Sequence, residues 1–134
     1  MGSFTDYLED KLVSLVFGAA AFSAPANLFI GLSSSSITDS GGNITEPVGN
    51  GYARKSVTNN ATNFPLSSGG AGSNGTQISF NTATGSWGTV VDFFIADASS
   101  GGNVLAYGTL GTPKAIGNGD TASFAAGALT YSLA

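Results

Sequence analysis

The chain has no histidine and no cysteine, and it is poor in charge, with 4 Lys+Arg and 8 Asp+Glu among 134 residues. Each absence excludes a class of chemistry. Without histidine, no side chain has an ordinary pKa suited to acid–base work at neutral pH. Without cysteine there is no thiolate nucleophile, no cysteine-ligated metal centre and no disulfide, and either redox compartment stays open. Ordinary domains carry about 25% charged residues, whereas this one carries 9%. Its basic residues, Lys11, Arg54, Lys55 and Lys114, form no stripe that could neutralise phosphates, which argues against nucleic-acid binding. Long hydrophobic runs are missing as well. The apolar stretch from Leu12 to Phe22 is broken by Ser14 and Gly18 and is too short to span a bilayer. The start, Met1 to Asp6, is acidic where a signal peptide is basic. Asp6 also stands where N-myristoylation favours Ser or Thr. No membrane association is expected.

What is present points to a β protein. The hydrophobic fraction is 42%, with 9 Phe, 4 Tyr and 1 Trp, enough to fill the core of one domain. Disorder would need low hydrophobicity and high net charge, and the net charge here is only −4. The 20 glycines, with abundant Ser, Thr and Asn, punctuate short strands. A surface so weakly charged is poorly protected against association. Such a chain is either a small hydroxyl-coated β domain or a module whose surface is largely covered by copies of itself or by a larger assembly.

The first segment reads as an amphipathic helix from about Phe4 to Phe17. Ser3 is the expected N-cap, with Asp6 three residues on as in a capping box. Asp6, Glu9 and Asp10 sit near the helix N-terminus, where the dipole favours them. Apolar residues at Phe4, Tyr7, Leu8, Leu12, Leu15 and Val16 build one stripe, and Gly18 is the stop. The stripe packs either on its own β domain or on a neighbouring subunit.

From Asn27 onward the pattern is that of strands. Asn27 to Leu32 reads as a buried strand. Gly51 to Thr58 alternates, with Tyr52, Arg54 and Ser56 on one face. Thr76 to Phe80 puts Ile78 and Phe80 together, and Thr89 to Ala98 is the most apolar run. Ser67 to Gly75 reads as a loop. Val104 to Leu110, Thr121 to Phe124 and Leu129 to Leu133 follow glycine-containing turns. About seven short strands imply a mostly β fold, an antiparallel β-sandwich or small barrel with a short N-terminal amphipathic α-helix. Residues 1–25 are expected to form the helical arm and linker, and residues 26–134 the β domain.

No catalytic constellation emerges. The acids Asp39, Glu46, Asp92, Asp97 and Asp120 are scattered, whereas a glycosidase needs two carboxylates flanking one sugar. Asp92, in the most apolar strand, either points outward or is buried against backbone or Arg54. Asp39 to Asn43 holds too few ligands for calcium. Ser33 to Ser36 have no histidine to act as base. Ser68 to Ser73 lacks the lysine of a P-loop. Trp87 is a core anchor or, less simply, a sugar platform. Sequons at Asn43, Asn60 and Asn74 read as chance matches in an Asn/Thr-rich chain. No catalytic residue, cofactor or metal is expected.

Several stretches, taken in order, resemble a family of small tailed-bacteriophage virion proteins. Asp6-Tyr7-Leu8-Glu9-Asp10-Lys11-Leu12 is similar to the family's N-terminal helix. Pro25-Ala26-Asn27-Leu28-Phe29-Ile30-Gly31-Leu32 resembles its "P-A-x-L-Y-x-G-L" strand, and Gly49-Asn50-Gly51-Tyr52-Ala53-Arg54 its "G-x-G-Y-A-R" turn. Ala83 to Val90, Gly101 to Gly108 and Gly119 to Leu129 continue the likeness, which departs in the loops 33–47 and 68–74. Members are often labelled tail fibre proteins, and the resemblance implies a virion component without catalytic residues.

A single compact domain with a helical arm suits a capsid cement (decoration) protein. It would bind the major capsid protein and its own copies, as a homotrimer on the capsid surface, after synthesis in the host cytoplasm. The alternative is a tail or tail-fibre-associated protein that attaches to the host surface through Trp87 or the variable loops. The expected contact residues are Tyr7, Leu8, Leu12, Leu15 and Val16 on the helix, with Tyr52, Arg54 and Lys55.

Overall fold

Gly2–Phe4 forms a strand, β1, rather than the start of the helix. It lies between two later strands, antiparallel to one and parallel to the other. With its backbone paired on both sides, Ser3 is not free to cap a helix. Thr5 takes that place. It is fully buried, its N–H donates to the Leu105 carbonyl at 2.9 Å, and its hydroxyl donates to the Val104 carbonyl at 2.6 Å. The same oxygen accepts from the Leu8 N–H at 3.5 Å, so the helix α1 spans Asp6–Val16. The computed structural model describes residues 2–133.

The remaining strands are β2 (Asn27–Ser33), β3 (Lys55–Thr58), β4 (Ala71–Ser73), β5 (Ile78–Ser79), β6 (Gly88–Ala96), β7 (Val104–Ile116), β8 (Ser123–Phe124) and β9 (Thr130–Ser132). Seven of them form one sheet in the order β3-β2-β6-β7-β1-β9-β4, curled into a half-barrel, while β5 and β8 pair separately. The protein is thus mostly β with one short helix, as the pattern implied. β4 falls inside the expected Ser67–Gly75 loop. Its residues, Ala71, Gly72 and Ser73, carry no alternating pattern and join the sheet edge through backbone pairing with β9. The strand expected from Gly51 begins only at Lys55, after a turn at Gly49, Asn50 and Gly51 with positive φ.

β6 explains where the core lies. It is buried on both faces, which is why it reads as a continuous apolar run. Phe93 and Ile95 join Ile30, Leu32, Ile78 and Trp87 in the main core on the concave side. Phe94 and Ala96 join Ile37 in a smaller cluster on the convex side. Two glycines on neighbouring strands make room for the paired rings. Gly31 stands opposite Phe94, whose ring occupies the space a Cβ there would need. Gly108 stands opposite Phe93, whose ring would lie 2.6 Å from its Cβ.

Candidate functional site

The acids of the β domain are engaged in structural bonds. Asp92 is buried, and its Oδ2 accepts from the Ile37 N–H at 2.8 Å, so of the readings open for it the backbone partner is correct. Its Oδ1 has no hydrogen-bond partner among the described residues. Asp97 accepts from the backbone N–H of Asn103 at 2.7 Å, and Asp120 from the Gly117 N–H at 2.8 Å. Trp87 is a core residue, not a platform. Its indole N–H donates to the Asn50 carbonyl at 2.8 Å, and its ring stands edge-on to Tyr52 at 5.2 Å. Asn74 is also buried, with its amide bonded to Thr76, Ala125 and Leu129, so that sequon has no accessible nitrogen.

Glu46 and Arg54 form a latch. Arg54 grips both carboxylate oxygens, Nε to Oε1 at 3.0 Å and Nη2 to Oε2 at 2.9 Å. Its Nη1 donates to the carbonyls of Ala98 and Gly101, and its plane lies over the Phe94 ring at 4.9 Å. The Tyr52 hydroxyl donates to Glu46 at 2.7 Å and accepts from the Leu32 N–H at 3.1 Å. Burial, reinforced by the Glu46 carboxylate, pushes the Tyr52 phenol far above its ordinary range. Tyr52 and Arg54 are therefore bound up within the fold. Lys55 stands exposed on the edge strand β3, opposite Ile30.

The helix is a different surface. None of its residues is buried. Tyr7, Leu8 and Leu12 are half-covered, but Val13, Leu15, Val16 and Phe17 are 58%, 41%, 70% and 77% exposed. Val13, Val16 and Phe17 stand at i, i+3 and i+4, so they form one apolar patch at the helix C-terminal end. Glu9 and Asp10 lie one turn before it. At the other end, carboxylate oxygens of Asp6, Glu9 and Asp39 lie within 4.8 Å of one another. Partial loss of hydration, then the charge of Asp39, raises the Asp6 carboxyl above its ordinary value. Tyr107 donates its hydroxyl to Asp39 at 3.1 Å. Burial and then Asp39 raise that phenol too.

An open groove of about 850 Å³ lies on the concave side, at the far end of β7. Leu32, Val90, Phe93 and Ile116 line its depth, and Leu110 and Phe124 its walls. Lys114 and Asp120 stand among threonines at its mouth. The groove exists because β1 is so short. β1 pairs with β7 only at Ala106 and Tyr107. Beyond Gly108, that edge of β7 carries no strand among the described residues. Asp120 is the groove's only carboxylate among them, so the pair needed for sugar hydrolysis is missing.

A family model described as podophage GP4 fiber I protein gp80 matches residues 3–132. The chain belongs to this family. It is a bacteriophage fibre or virion structural protein. No curated protein matches the chain. The match takes in β1 from Ser3, α1 and every later strand, so helix and half-barrel are parts of one family unit.

The sequence carries no mark of the groove, and the apolar stripe leaves out Val13 and Phe17, two of the four exposed apolar residues at the C-terminal end of α1. Phe17 had a signal, since it lies four residues after Val13. The groove had none, because it is made by where one short strand stops.

Proposed function

We propose that this virion protein is a module of a tail fibre, taking part in attachment to the host surface and assembling through copies of itself. The family match over residues 3–132 carries this reading, because the family is described as a fibre protein. The low charge and the exposed apolar helix end support assembly into a larger body. A homotrimer would bring the helices into repeated contacts. Host contact would fall to the variable loops, since Trp87 is committed to the core.

A capsid cement protein, bound to the major capsid protein, is the second reading. The exposed Val13, Val16 and Phe17 favour it, because such a patch suits a clamp between capsid subunits. Quantitative mass spectrometry of purified virions, with heads separated from tails, decides between them. Few copies confined to the tail fraction are expected. Many copies in the head fraction would overturn the fibre reading in favour of the capsid one.

A further inference from the structure

The start of α1 lies on the convex side of the sheet and the groove opens on the concave side. α1 begins where Thr5 bonds Val104 and Leu105, and its first residue touches Asp39, the partner of Tyr107 on the convex side. The groove opens on the concave side, around Thr109 to Ile116 of the same strand β7. From Leu105 to Lys114 a strand advances roughly 30 Å at about 3.3 Å per residue. No residue of α1 lines the groove. The start of α1 is therefore anchored at the opposite end of β7 from Lys114.

We infer that the C-terminal end of α1 docks in the groove of a second copy of this chain, head to tail. The two surfaces match in three respects. The patch Val13, Val16 and Phe17 is apolar and convex, and the groove floor of Leu32, Val90, Phe93 and Ile116 is apolar and open. The volume, about 850 Å³, accommodates the tip of a helix laid into a groove. The charges are complementary. Glu9 and Asp10 flank the patch, and Lys114 stands at the groove mouth with no ion pair among the described residues. Asp120, the opposing charge there, is engaged by the Gly117 N–H. Such a contact uses two different surfaces, so each copy keeps one free surface of each kind until a ring closes or a filament grows. The inference rests on the reading of the protein as one that acts in copies. Its test uses purified protein, so the result does not depend on head or tail location.

The test is mass measurement by light scattering on two variants, each carrying one blocked surface. Val16→Asp with Phe17→Asp blocks the patch, and Lys114→Glu with Ala128→Trp blocks the groove. The wild-type chain is expected to be oligomeric, and each variant alone to run as the 13.3 kDa monomer. Mixed, the two are expected to form a 1:1 dimer and nothing larger, because one intact patch meets one intact groove. A second pair checks the charges: Glu9→Lys with Asp10→Lys should restore association to a Lys114→Glu chain. A wild-type chain that stays monomeric at its highest soluble concentration would overturn the inference. So would a groove-blocked variant that still self-associates, since the helices would then meet each other. Circular dichroism on each variant verifies that the fold is kept. Should Ala128→Trp unfold the chain, Lys114→Glu alone carries the groove arm.

Discussion

At the residue scale, glycine and arginine decide more than their numbers imply. Gly31 is where the ring of the fully buried Phe94 crosses β2, and a methyl group there would have to displace it. Gly31→Ala should therefore destabilise the protein by roughly 1–3 kcal/mol, the usual cost of overpacking. Urea unfolding with an unchanged m-value would show it, and an unchanged midpoint would mean that the ring moves freely. Arg54 makes bonds that a lysine cannot copy, two to Glu46 and two to backbone carbonyls, from one plane stacked on Phe94. Its side chain is 7% exposed and Glu46 27%, so solvent screens the pair little. Arg54→Lys should cost about 1.5–3 kcal/mol, the range for hydrogen bonds to charged groups, read as a lower thermal midpoint. These bonds also add to the alternation that places Tyr52 and Arg54 on one face. Alternation reports which way a side chain points, but not whether a distant Glu46 awaits it.

At the element scale, the helix is held at its start and free at its end. Thr5 fixes the start to β7, while Asp6 packs against Asp39 with a carboxyl that prefers its proton more than usual. The sign follows from that direction. A carboxyl whose folded-state value is raised favours the folded state below the ordinary value of 3.8, and that contribution is lost as pH rises through the raised value. Asp39→Asn removes the main neighbouring charge while keeping an acceptor for Tyr107. The variant should melt above the wild type near neutral pH, and the difference should shrink toward zero as the pH is lowered to the ordinary Asp range. Melting curves of both proteins across pH would check it; a constant difference would remove Asp6 from the explanation. The capping box built on Ser3 was wrong by one element. The local pattern of Ser, Asp and apolar residues is real, but β1 uses Ser3 first, and the helix starts two residues later than its stripe implied.

At the scale of the whole molecule, two surfaces bear on assembly: the bare end of α1 and the groove left by the shortness of β1. Val16 and Phe17 are 70% and 77% exposed, so changing both to Asp should alter the unfolding free energy of the isolated chain by no more than about 0.5 kcal/mol per site. A large loss in the monomer would mean that the patch packs in cis. Asp92, Asp97 and Asp120, the tryptophan and Asn74 are held by hydrogen bonds within the fold.

The pattern of residues by itself determined a mostly β protein with one amphipathic helix, the buried run at Val90 to Ala96, the scarcity of catalytic groups and the phage family. These are legible because periodicity and burial are written locally, and because the family motifs occur in order. Only the tertiary structure decided that Gly2–Phe4 enters the sheet beside Tyr107, that Ala71–Ser73 joins its edge, that Arg54 closes on Glu46, and that a groove remains beyond Gly108. Short strands pair through backbone groups that any residue supplies. Thr5 meets Leu105 from 100 positions away. No local pattern of side chains records such a meeting, and the groove is a consequence of it.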